Sequence, residues 1–180
     1  MASKNLSAAD QKAKRQGRQK TFYITGPSGW DLVEILPKID MINRLFTELF
    51  AEQKISEKYY EYQKNVFYMF IEAIDDWVSE SSEMLLRAGF LKEGSNGYFN
   101  LLKDSVKKKR VMYLNTQVAM NAYFSFIKCD THSAVLVFGL RQDAISAREY
   151  KTAVKKLFEL TENMKTEIGR MRDRVCECRK

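Results

Sequence analysis

Little in the chain marks it as an enzyme. Its 180 residues hold one histidine, His132, so a Ser-His or Cys-His dyad could be built only through that residue. Two prolines and eight glycines are too few for a many-turn β-protein and favour long helices. Three cysteines, an odd number without framework spacing, exclude a disulfide scaffold and suit a reducing compartment. The longest apolar runs, Val66–Ile71 and Ala134–Leu140, are far too short for a membrane span. The N-terminus is polar and charged, without the apolar stretch of a secretory signal. Together these features predict a cytoplasmic protein.

One stretch imitates a catalytic motif. In Phe22-Tyr23-Ile24-Thr25-Gly26-Pro27-Ser28-Gly29, a short β-like run meets a glycine-rich turn. A phosphate-binding loop beginning at Gly26 would need glycine at position 31, then Lys and Ser or Thr. The chain has Asp31, Leu32 and Val33 there, and an acid beside a triphosphate repels it. No G-x-G-x-x-G fingerprint is present either. The residues instead predict a turn, with Ser28 as a helix cap and Asp31 as its capping-box partner.

Other chemical constellations fare no better. Cys129 and His132 with Cys176 and Cys178 have the composition of a Cys₃His zinc set. The last two, however, diverge on a helix. The acidic pairs Asp75-Asp76 and Glu80/Glu83 fall on the polar side of a helical stripe and suit a solvated face. We expect no catalytic residue, no metal and no cofactor. A winged-helix echo, "LLRAGFLKEGSNGYFNLL", lacks the turn such a module requires before its recognition helix.

What is present is helical periodicity. It predicts an all-α bundle of about five helices. After the Ser28 turn, Pro37 opens a second helix with a stripe at Ile39, Ile42, Leu45, Phe46 and Leu49. Ser56 caps the next helix, which ends at Gly89. Residues 98–128 form a third long helix, interrupted by the basic cluster Lys107, Lys108, Lys109 and Arg110. "HSAVLVFGL" fits a buried strand or a buried helix, and its helical neighbours favour helix. No internal repeat is legible.

The last helix carries the sharpest pattern. A capping box at Ser146 and Glu149 opens it. Apolar positions then recur with alternating steps of 4 and 3, including Val154, Leu157, Met164, Ile168, Met171 and Val175. β-branched residues at one seam position and unbranched ones at the other suit a parallel dimer. These six residues form the expected oligomer interface, on a helix that projects from residue 161 to 180.

Charge supplies the functional expectation. Residues 1–20 carry a net +5 and the remainder of the chain only +2. That arm lacks large apolar residues and is expected to be disordered when free. Residues 21–160 form the bundle. Lys12, Lys14, Arg15, Arg18 and Lys20, with Lys107, Lys108, Lys109 and Arg110, are the candidate phosphate contacts. The expected protein is a non-enzymatic homodimer or homo-oligomer that binds nucleic acid, or another polyanion, without sequence specificity. The alternative is a scaffold or structural subunit that binds other protein subunits and has no nucleic-acid role.

Overall fold

A computed structural model describes residues 17–89 and 106–179. In chain order these form β1 (Arg18–Ile24), α1 (Gly29–Ala51), α2 (Glu57–Arg87), β2 (Lys108–Leu114), α3 (Gln117–Arg141) and α4 (Ala147–Cys178). The protein is mostly helical, but the expected all-α bundle of five helices is corrected to four helices and a two-stranded sheet among the described residues.

Three local readings change with it. Pro37 lies inside α1 rather than at the start of a separate helix. The predicted helix over 98–128 is β2 at 108–114, and α3 starts only at Gln117; residues 98–105 and the wing-like stretch from Phe90 lie outside the described residues. Arg18, Gln19 and Lys20, assigned above to the disordered arm, are strand. The ambiguous 132–140 segment is helix, continuous within α3.

The helix ends follow from their side chains. Ser56, Thr116 and Ser146 each accept a hydrogen bond from a backbone N–H three residues on, and Ser146 with Glu149 closes the predicted capping box. Gly89 takes a left-handed φ of 70° just past α2, as a C-terminal glycine should. Ser28 behaves differently. It precedes α1 without a side-chain capping bond, and its hydroxyl is drawn elsewhere.

The order β-α-α occurs twice. β1 begins at Arg18 and β2 at Lys108, and α2 begins at Glu57 and α4 at Ala147, the same shift of 90 residues in both cases. Burial repeats at that interval: Phe67, Ile71, Ile74, Val78, Ser81 and Leu85 of α2 correspond to Leu157, Thr161, Met164, Ile168, Met171 and Val175 of α4, all buried. The strands pair antiparallel with Arg18 opposite Leu114 and Ile24 opposite Lys108. Thr21 faces its own equivalent, Val111, so an approximate twofold axis passes between them. A repeat is therefore present where none was legible in the sequence. The two units interlock: α1 packs on α3 and α4, and α2 packs on α3. Trp77 of α2 is buried and its Nε1–H donates to the Ala153 carbonyl of α4 at 2.9 Å.

This arrangement corrects the projecting coiled coil. Leu157, Met164, Ile168, Met171 and Val175 belong to the core shared with the other helices, and only Val154 is exposed. The face with the strict period is covered within one chain, since the period alone does not distinguish packing inside a bundle from packing between chains.

Candidate nucleic-acid interface

The ribbon of β1 and β2 is built by alternation. Phe22 and Ile24, with Met112 and Leu114, point into the core. Strand residues alternate faces, so the residues between them point out. The outer face therefore carries the cross-strand pairs Gln19–Tyr113, Thr21–Val111 and Tyr23–Lys109. Its large side chains are well exposed: Tyr23 51%, Val111 50% and Tyr113 55%. Sequence reading missed five of these residues, Gln19, Thr21, Tyr23, Val111 and Tyr113. The signal for them was a shared pattern, basic-x-basic-x-apolar-Tyr-apolar, at 18–24 and 108–114.

Of the strand cations, Lys109 lies on that face, whereas Arg18, Lys20, Lys108 and Arg110 alternate with it and leave the strands on the helix side. Arg18 and Lys20 on β1, and Lys107 to Arg110 at β2, are six basic residues with no acid in either strand. Among the described residues none of the six forms a salt bridge. Several lie against rings instead: Lys20 Nζ is 5.5 Å from the Phe124 centroid, Lys108 Nζ 5.4 Å from Trp30 and Lys109 Nζ 6.0 Å from Tyr23. The structure thus brings together Arg18, Lys20, Lys107, Lys108, Lys109 and Arg110, which lie far apart in sequence. Lys12, Lys14 and Arg15 lie outside the described residues.

Two buried carboxylates hold the ribbon ends, and they too are related by the 90-residue shift. Asp130 of α3 accepts from the Thr25 N–H (2.7 Å), the Thr25 hydroxyl (3.0 Å) and the Gly26 N–H (3.0 Å) at the β1–α1 turn. Asp40 of α1 accepts from the N–H groups of Asn115 and Thr116, both at 2.8 Å, and from the Thr116 hydroxyl and the Asn115 side-chain amide at the β2–α3 turn. Each carboxylate reaches across to the other unit. The glycine-rich turn does cradle an anion, but the anion is the chain's own. A Cβ on Gly26 would lie 2.1 Å from Ser133 Oγ, and one on Gly29 would lie 2.6 Å from an Asp130 oxygen, so both glycines are required for the close approach. Ser28 donates to Ser133 Oγ at 2.8 Å and thereby joins this cluster. Asp31 forms no capping box with it and instead meets Lys165 at 2.7 Å.

Burial raises the Asp130 pKa, while the donors from Thr25, Gly26 and Gly29 oppose the rise. Burial pushes the neighbouring Cys129 thiol strongly upward, with the Asp130 charge adding to it, which disfavours a thiolate nucleophile. His132 Nδ1 lies 2.8 Å from the Lys128 carbonyl, so Nδ1–H donates there and Nε2 accepts from the Ser82 hydroxyl at 2.7 Å. Burial lowers the His132 pKa. No group of three or more His, Cys, Asp or Glu is arranged to hold a metal among the described residues. No helix among them is long and apolar enough to cross a membrane.

Comparison with family models, with curated proteins and with solved structures returns no match for this chain.

Proposed function

We propose that the protein is a non-enzymatic nucleic-acid-binding protein that docks on duplex DNA through the outer face of its β1–β2 ribbon. The observation that carries this reading is the ribbon itself: twofold, exposed on its outer face, with six basic residues in or beside its strands and no acid in either. A two-stranded antiparallel ribbon fits the B-DNA major groove, and strands are an established way of presenting side chains there. Arg18, Lys20, Lys108 and Arg110 leave the strands on the other face, and their long side chains would reach the phosphate walls around the two open edges of the ribbon, with Lys107 beside them. Lys12, Lys14 and Arg15 precede β1 in sequence and carry further positive charge. Both strands come from one chain, so the face needs no second copy, and the burial of the heptad seam withdraws the main argument for self-association.

The test is fluorescence anisotropy with a labelled duplex across a salt series. Log affinity should fall against log salt with a slope of about −5 if the six ribbon cations each meet a phosphate. Neutralising Lys107, Lys108 and Arg110 together should flatten the slope by about 3. A slope near zero, or one unchanged in that variant, would refute the reading.

A further inference from the structure

The two halves of the ribbon are alike in backbone but not in side chains. The 90-residue shift places Gln19 in equivalence with Lys109, Thr21 with Val111 and Tyr23 with Tyr113. On the outer face only the tyrosines match. A homodimeric ribbon must present identical halves, because a twofold axis relates identical chains. Here both halves lie on one chain, which frees them to differ, and at two of three positions they do.

We infer that the preferred target is a non-palindromic duplex site, read differently by the two ends of the ribbon. The inference rests on the proposed docking of this face in the major groove. One end offers the Gln19 amide opposite Tyr113, and the amide is matched to the N6/N7 edge of adenine. The other end offers the Lys109 ammonium opposite Tyr23, matched to guanine O6 and N7, and between the ends the Thr21 hydroxyl faces the Val111 methyls, which are matched to the thymine methyl. The two tyrosines bracket the face. They sit on different strands, four ladder positions apart, which is about 14 Å along the ribbon at ~3.4 Å per residue. Reading is carried by exposed side chains on a fixed ladder, so their order is set by the strand register. The flanking cations meet phosphates and add affinity without choosing sequence.

A selection from a randomised duplex pool with the full-length protein tests this. We expect an enriched site whose two halves differ, guanine on the side facing Lys109 and adenine on the side facing Gln19. Exchange of the base facing Lys109 should weaken binding about fivefold to a hundredfold. The paired substitution Lys109→Gln with Val111→Thr makes the two ends of the ribbon chemically alike, and it should shift the enriched site towards a palindrome. Both positions are exposed, and an unchanged thermal melt confirms that the fold is retained. Palindromic enrichment by the wild-type protein, or duplex binding with no enriched sequence, would overturn this inference and leave the docking proposal standing. No binding to any duplex in the pool at ~50 mM salt, where phosphate contacts are strongest, would overturn both.

Discussion

At the scale of single residues, the fold depends on a few polar groups placed where burial makes them costly to lose. Asp40 and Asp130 each satisfy several donors of a turn in the opposite unit. Replacing either by Asn puts an amide N–H₂ against those donors and leaves buried N–H groups unpaired. About 2 kcal/mol of stability should be lost at each site, read by urea unfolding. Gln63 is the converse case. It is buried, and neither its side-chain oxygen nor its nitrogen has a partner among the described residues. Gln63→Leu should therefore raise the melting temperature, and a lower one would show that the amide is used. His132 gives the pH dependence. Its folded pKa is lowered by burial, so the fold prefers the neutral ring. Its contribution is present above the unfolded value near 6.5 and is lost as pH falls below it. Asp130, raised by burial, acts in the opposite sense, favouring the fold at lower pH. Comparison of the wild-type protein with His132→Gln isolates the histidine: unfolding free energy should drop less in the variant between pH 7 and pH 5.5.

At the scale of elements, helices capped by Ser56 and Ser146 and the apolar stripe of the last helix were legible in the sequence, because a cap and a 3.6-residue period are local signals. Of the strands, only the Phe22-Tyr23-Ile24 end of β1 was read as β-like, and β2 was read as helix. Each is seven residues long, and in β2 the run of Lys108, Lys109 and Arg110 hides the alternation that Met112 and Leu114 begin. The partner strand that makes the alternation meaningful lies in the other unit. The seam was expected to meet a second chain, and five of its six residues are buried within this one, since periodicity shows that a helix face is covered but not by which chain. This reading changes the outcome for Ile168→Asp. The residue is 6% exposed in the core, so the substitution should unfold the protein, by about 3 kcal/mol or more, rather than dissociate a dimer. Circular dichroism distinguishes these: a well-folded variant of halved mass would contradict the account.

At the scale of the whole molecule, the pseudo-twofold arrangement explains why the candidate site was only partly visible. The basic clusters at 18–20 and 107–110 stood out as charge, but their union on one face depends on pairing across about 90 residues, which no local pattern encodes. Seven positions are identical between residues 18–89 and 108–179, Tyr23 and Tyr113 and Asp40 and Asp130 among them, too few and too scattered to announce a repeat. Interlocking also has a folding consequence. Each unit's helices cover the other's core, so a chain cut between the described segments should yield halves that lack a cooperative melt alone and regain helical signal when mixed. Two halves that each melt cooperatively as monomers would contradict the interlocked core.

Whether the ribbon is the nucleic-acid face is tested by amide chemical-shift mapping of the labelled protein on addition of a short duplex. The largest shifts should fall at 18–24 and 107–114, with smaller ones at neighbouring Trp30 and Phe124. Shifts confined to the basic end of α4, or no shifts at low salt, would contradict it.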